Sequence, residues 1–266
     1  MLRKFLNPFL GKKKYYHFWE KVYELSLSGM NMNLDGIVSN SGESNVLPFV
    51  LANRRENGKM IVFDVGANKG QYALECIRKM KEYSKEDDVE IYCFEPSKTT
   101  YKLLDDAVRG YSQLHIYNIG LGDVEGIQTL FYDAAGSGLA SLYQRDLREF
   151  KIVFNQEETV QITQLDIFCE RNGISYIDLL KMDVEGNELN VLKGGERILQ
   201  AGNVGAIQIE FGGCNVDART FLRDFWNMLH DQYVFYRIMQ DGFAEIIRYS
   251  EKLENFTNSN LFLLRR

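Results

Sequence analysis

The sequence predicts an α/β fold: a doubly wound, mostly parallel sheet covered by helices on both faces. Three observations carry this. After residue 58, short apolar runs alternate with stretches whose apolar residues fall at helical spacing, the signature of successive β-α units. The first run ends in Asp64 and passes through "VGANKG" into a helical pattern, as at the ligand end of such a sheet. The chain has 266 residues, 45% of them hydrophobic, which is enough for a large core.

Taken in order, residues 13–30 read as an amphipathic helix through Phe18, Trp19, Val22 and Leu25, with Pro8 and Gly11 interrupting the pattern before it. Residues 1–58 are expected to form an N-terminal helical segment packing on the core, and residues 59–266 the main domain. Met60–Val65 is the first strand, followed by a helical stripe of Ala73, Cys76, Ile77 and Met80. Residues 90–95 are the second strand. Ser97 is placed to cap the next helix, whose stripe is Tyr101, Leu104 and Val108 and which Gly110 ends. Residues 114–121 read as a third strand, and residues 177–183 and Val204–Phe211 as two more, with a helix through Leu189 and Leu192 between them. Residues 124–164 break the rhythm with "GIQTLFYD" and "ETVQITQLD" around a polar stretch, a β insertion placed like a lid. Near the C-terminus Asp241-Gly242 marks a hairpin turn, and "NLFLLRR" is expected to return as an edge strand.

Composition narrows the function. A net charge of −6 is unsuited to gripping nucleic acid. Four scattered cysteines without a CxxC pair, and three histidines without metal-binding spacing, point away from disulfides and zinc and toward a reducing, cytoplasmic setting. No apolar run approaches the ~18 residues of a membrane span. Residues 1–21 differ from the rest: Arg3, Lys4, Lys12, Lys13, Lys14 and Lys21 face only Glu20. Interleaved with aromatics, this segment suits weak peripheral contact with an anionic membrane, at the inner face for a cytoplasmic protein. The competing reading packs those aromatics on the domain and leaves the lysines in solvent.

The loop after the first strand is not a dinucleotide fingerprint, because Asn68 and Gln71 stand where glycines are required. Nor does its spacing fit a phosphate loop. Asp64 suits the amino group of a zwitterionic ligand whose carboxylate meets the helix N-terminus. Glu95, ending "YCFE", suits two ribose hydroxyls. Adenosine joined to an amino acid is S-adenosylmethionine. Taken singly, either acid reads equally well as a helix cap.

Further segments extend the pattern: "SGESNVLPFV", "VFDVGANKGQYAL", "CFEPS", "NIGLGD", "SGLASL", "LLKMDVEGNELNVLKG" and "IQIEF". In this order they resemble the FkbM family of S-adenosylmethionine-dependent methyltransferases over about residues 40–211. The resemblance implies a seven-stranded methyltransferase sheet with a reversed last strand, and O-methylation, often of sugars. It places Asp64, Gly66, Asn68, Gly70, Gln71 and Tyr72 in the cofactor loop, Glu95 at the ribose, and Gly120 and Leu121 near the adenine. Glu43 matches an upstream acid. The chain departs from the family at "EFGGCN", where a histidine is expected soon after Glu210.

Transfer to a hydroxyl needs a group that helps remove its proton. Asp183, ending the fourth strand and also next to the cofactor, is the principal candidate, with Glu185 and Glu210 assisting. Asp183 and Glu210 are also a set that can hold Mg2+. Lys181 shares Asp183's face by strand alternation. Glu188, and in one reading Glu185, simply caps the next helix. His17, His115 and His230 read as packing or surface residues. Arg145 and Arg148 in the insertion suit a phosphate-bearing acceptor, such as a nucleotide sugar or lipid-linked glycan, or are solvated. The favoured function is O-methylation of a sugar hydroxyl. The alternatives are methylation of a small non-sugar metabolite, or a non-catalytic binding module on the same fold.

Overall fold

A computed structural model describes residues 6–32, 41–54, 58–83 and 85–266. Its strands are β1 (Met60–Val65), β2 (Val89–Phe94), β3 (Leu114–Tyr117), β4 (Gly120–Gly122), β5 (Gly126–Tyr132), β6 (Gln156–Gln164), β7 (Ile177–Met182), β8 (Val204–Phe211), β9 (Tyr233–Met239), β10 (Gly242–Glu245) and β11 (Ser259–Arg265). Eight of them form one sheet in the order β10-β9-β11-β8-β7-β1-β2-β3. The strands from β8 to β3 are parallel, and β11 runs against both β8 and β9. One strand more than the expected seven arises because the Asp241-Gly242 hairpin contributes its second arm, β10.

Alternation along the strands builds two cores. Phe63, Val65, Phe94 and Leu180 point to one face, against Phe168, Val191 and Leu192. Val62, Ile91 and Leu179 point to the other, against Ala73, Met80 and Leu104. Every residue of β7 is buried, the pattern of a central parallel strand.

Three local expectations need correction. The run 114–121 is not one strand. Asn118 donates to the carbonyls of Glu95 and Pro96, both at 2.9 Å, and the chain turns there. Its second part, β4, leaves the main sheet and joins β6 and β5 in a small sheet of order β4-β6-β5, which is the insertion. Second, the last strand is interior rather than at an edge. Leu261, Phe262 and Leu263 are all buried, so both faces of β11 need covering. Third, Ser97 occupies the N-cap of the helix Lys98–Val108, but its side chain makes no cap hydrogen bond.

The N-terminal region divides. The helix Val46–Asn53 packs on the sheet through Val46, Leu47 and Val50. In the helix Tyr16–Gly29 only Leu27 is buried, while Phe18 is 57% and Leu25 72% exposed. Among the described residues Phe18 and Leu25 of that stripe stay exposed, while Trp19 and Val22 are half-buried and Trp19 donates to Phe9 O at 3.1 Å. The anchor lies at its end, where Asn31 donates to Ser41 O and Ile238 O at 2.7 and 3.0 Å. Residues 1–5, with Arg3 and Lys4, lie outside the described residues. Among the described residues no helix is long and apolar enough to cross a membrane.

Candidate active site

Strand register assembles the site. Val65 pairs with Phe94 and with Met182, and Met182 pairs with Ile209. The next residues, Gly66, Glu95 and Asp183 just past β1, β2 and β7 and Glu210 near the end of β8, therefore stand at one level, the carboxyl end of the sheet. A cleft opens there in two hollows that share Gly66, Asn68, Gly138, Asp183 and Glu185.

The first hollow is less polar than the second, with apolar walls. Leu121, Leu130, Leu142, Ile162, Phe94 and Pro96 line it, with Glu95 at one side. Glu95 Oε2 accepts from the Asn68 backbone N–H at 3.0 Å, and Oε1 from that of Ser97 at 2.9 Å. Each oxygen keeps a lone pair for a further donor. Burial pushes this carboxyl up to about 7, against the pull of those two N–H groups. The loop beside it must be glycine at two points. Gly66 has φ +80° with the Asp183 carbonyl against it, and Gly70 has φ +82° with Leu104 2.8 Å from where a Cβ would sit. Asn68 itself adopts φ +48°, and its buried Oδ1 has no hydrogen-bond partner. A slot with apolar walls, a ribose-type acid and an unspent polar atom fits an adenosine group. Gly120 and Leu121 lie on its wall.

The second hollow is polar, lined by Glu43, Gln71, Tyr72, Lys181, Asp183, Glu185, Glu210 and Asn258 among others. Its floor is a relay: Tyr72 Oη donates to Gln208 at 3.0 Å, Gln208 Nε2 to Glu43 at 2.7 Å, and Ser41 Oγ to Glu43 at 2.7 Å. Asp64 lies elsewhere than expected. It is fully buried and lines neither hollow. Its Oδ1 is 2.9 Å from Lys181 Nζ, so the ammonium, not the carboxylate, faces the cavity. Burial opposes that charge, but Asp64 and Asp183 outweigh it and hold Lys181 above the ordinary lysine value. Lys181 Nζ is also 3.7 Å from Asp183 Oδ2 and 5.2 Å from the centre of the Tyr72 ring.

Asp183, Glu185 and Glu210 converge, each offering an oxygen within 4.8 Å of the others. Such a set holds either a divalent cation or shared protons. The Asp183 charge, then burial, raises Glu210 well above the ordinary carboxylate range. Burial, then Asp183, pushes Glu185 up to about 8, opposed by Arg145. Glu185 sits at φ +53° in the turn after β7, its carbonyl accepting from Ser141 Oγ at 2.7 Å. Its carboxylate pairs with Arg145, whose Nε is 3.7 Å from Asp217 Oδ2. Arg145 is thus committed to two acids, and Arg148 pairs with Asp146. Arg145 is therefore not the free cation that a phosphate acceptor would use, whereas Arg148 is 79% exposed and meets the alternative expectation of a solvated side chain. Glu188 supports the turn by accepting from Val184 and Gly186 N–H at 3.0 and 3.2 Å.

None of the three histidines lines the cleft. His17 meets Glu20, His115 meets Glu90, and His230 lies against Trp226 O. Sequence reasoning missed Gln208, Ser41, Asn258 and the Arg145–Asp217 clamp. Gln208 left a signal: a lone amide in the apolar run "AIQIEF", two residues before Glu210 and on its face. The others come from distant parts of the chain.

The sheet order, with a reversed strand beside β8 and a cleft at the carboxyl ends of β1 and β2, defines a Rossmann-like methyltransferase architecture. The chain matches the model of the methyltransferase FkbM domain over residues 64–252 and belongs to that family. Among curated proteins it resembles the 2-O-methyltransferase NoeI of Sinorhizobium fredii, 24% identical over 52% of this chain and 58% of that protein. It also resembles the hexuronic acid methyltransferase AglP of Haloferax volcanii, 24% identical over 64% of each chain. The chain thus spans about six-tenths of the length of these relatives. Aeropyrum pernix fibrillarin, solved with bound S-adenosyl-L-methionine, overlaps 85% of this chain and 76% of its own at 12% identity and TM-score 0.41, too slight a likeness to add to the fold itself.

Proposed function

We propose that the protein is an S-adenosylmethionine-dependent O-methyltransferase acting on a sugar hydroxyl. One observation carries the reading: Gly66, Glu95, Asp183 and Glu210 stand at one level, so that an apolar nucleoside slot opens directly onto an acid-lined hollow. The relatives named above support the acceptor class, one by its 2-O specificity and one by its hexuronic acid.

When bound, S-adenosylmethionine supplies a methyl carbon activated by its sulfonium. The residues divide the remaining work. Glu95 accepts the ribose hydroxyls, the Gly66–Gly70 loop lets the ligand approach the backbone, and Leu121 and Ile162 cover the adenine. Gln71 and Tyr72 open the helix Gln71–Glu82, whose N-terminus suits a carboxylate. Lys181 presents a second positive charge to the same hollow. Asp183 orients the acceptor hydroxyl and takes its proton, with Glu210 and Glu185 sharing charge and protons around it. Holding oxygen and methyl in line supplies much of the rate. Mg2+ on Asp183 and Glu210 would polarise the hydroxyl instead.

Incubation with methyl-labelled cofactor and fractionated cell glycans tests the reading. Label in a saccharide, lost on mild chelation and restored by Mg2+, supports the metal route; label insensitive to chelation supports the carboxylate alone. Label only in small non-sugar metabolites moves the acceptor class, and cofactor binding without any transfer supports a binding module.

The exposed aromatic face of the helix Tyr16–Gly29, next to Lys12, Lys13 and Lys14, supports a second proposal: peripheral contact with an anionic membrane, which would suit a lipid-linked acceptor. Flotation with anionic liposomes should separate the full chain from a Phe18→Ser, Leu25→Ser variant. Equal partitioning counts against it.

A further inference from the structure

Outside the acid cluster a third hollow opens on the far side of Arg145. Leu147, Phe150, Val216 and Phe256 form its apolar surface, and Arg148 and Asp217 are among its charged groups. Its volume of about 830 Å³ falls in the range of roughly 300–1,000 Å³ typical of small-molecule sites. Phe150 is 65% exposed and Val216 56%. Phe256 is held firmly: its φ is +50°, unusual for a bulky residue, and its ring lies 5.5 Å from Phe211 and 6.0 Å from Phe221.

This hollow adjoins the reaction centre across Arg145. Arg145 lines it, and the same guanidinium pairs with Glu185 in the acid cluster. Asp217 completes the link, 3.7 Å from Arg145 Nε and accepting the Asp146 N–H at 3.4 Å. One side chain therefore separates the two.

We infer that the hollow is a second acceptor subsite, taking the sugar unit adjacent to the one methylated. The inference rests on the sugar-acceptor reading above. A pyranose offers a face of C–H groups and a rim of hydroxyls. Exposed aromatic rings match the face, and planar carboxylate and guanidinium groups match the rim. Charge argues against a phosphate occupant. Asp146, Glu149 and Asp217 line the hollow against Arg145 and Arg148, and both arginines are already paired with acids. A lipid tail would strip water from these charged groups and offer them no hydrogen bonds.

The test uses the full chain, methyl-labelled S-adenosylmethionine, and mono-, di- and trisaccharides of glucose, galactose, mannose, fucose and glucuronic acid. The subsite predicts kcat/KM at least about tenfold higher for the preferred disaccharide than for its monosaccharide. Phe150→Ala, at an exposed position, should erase that gain through KM and leave monosaccharide turnover and cofactor affinity unchanged. Val216→Asp, beside it in the hollow, should do the same. Equal kcat/KM for both lengths in the wild type, or an equal loss on both in Phe150→Ala, would overturn the subsite while leaving the sugar reading intact. Cofactor binding with no transfer to any saccharide would overturn both.

Discussion

The hollow beside Glu95 and the hollow beside Glu210 share five lining residues, yet they are built in opposite ways. The first draws on residues 65–187, has apolar walls, and relies on backbone N–H groups and glycines. The second draws on residues 31–260 and crowds Glu43, Lys181, Asp183, Glu185 and Glu210 around a small space. Under the proposed function the first hollow takes the nucleoside and the second the acceptor hydroxyl. An acceptor hydroxyl needs charge that changes state, and charge must be held by groups that themselves need partners. The cofactor side should therefore respond to substitution in affinity, the acid side in turnover and stability.

The largest effect is expected at Lys181, whose ammonium is the counter-charge of buried Asp64. Lys181→Met leaves that acid alone, and breaking a buried pair in this way costs about 3–5 kcal/mol. Denaturant unfolding measures it. Burial already raises Asp64, and losing Lys181 raises it further, so the folded variant binds a proton at a pH where the unfolded chain does not. The deficit should thus shrink as pH falls toward 5. A deficit that grows on acidification would mean the pair does not carry the effect.

Asp183→Asn comes next. Turnover should fall about 100-fold or more, with the unfolding transition retained. A folded variant at full activity would remove Asp183 from both the proton-accepting and the metal role.

Glu95→Ala should weaken cofactor affinity by about 1.5–3 kcal/mol, the scale of hydrogen bonds to a charged group. Unchanged affinity would take Glu95 out of the ribose role.

The smallest effect is in pH. Glu95 is pushed up to about 7 in the folded protein, above the unfolded value, so its proton favours the native state and that contribution is lost as pH rises between the two values. Ribose hydroxyls donating to Glu95 favour its ionised form. Affinity for S-adenosylhomocysteine should therefore drop by about tenfold between pH 8 and 6, one pH unit below that value. Glu95→Gln should flatten the profile, and an unchanged slope in that variant would assign it to another group.

The same contrast explains what the sequence disclosed. Strands β1, β2, β7 and β8 were legible because each is a short apolar run ending in a functional residue, and the Gly66–Gly70 loop because its glycines meet a local backbone demand. Asp64 was visible as a functional acid, but its partner was not: Lys181 is 117 residues away in sequence and meets it only through the pairing of β1 with β7. Arg145 was read as a free cation because neither Glu185 nor Asp217 lies near it in the chain. The break at Asn118 depends on the carbonyls of Glu95 and Pro96, which no periodicity encodes. β11 was misplaced to an edge because only the sheet order reveals which strands flank it.

The division of labour between the two hollows can be tested by titrating S-adenosylhomocysteine calorimetrically into the wild type, Glu95→Ala and Glu210→Gln, with labelled methyl transfer measured on the same preparations. The account predicts tight binding to the wild type, binding weakened by about 1.5–3 kcal/mol in Glu95→Ala, and near wild-type binding with severely reduced transfer in Glu210→Gln. Equal loss of affinity in both variants would contradict it, because the cleft would then be one site rather than a cofactor slot joined to an acid-lined reaction centre.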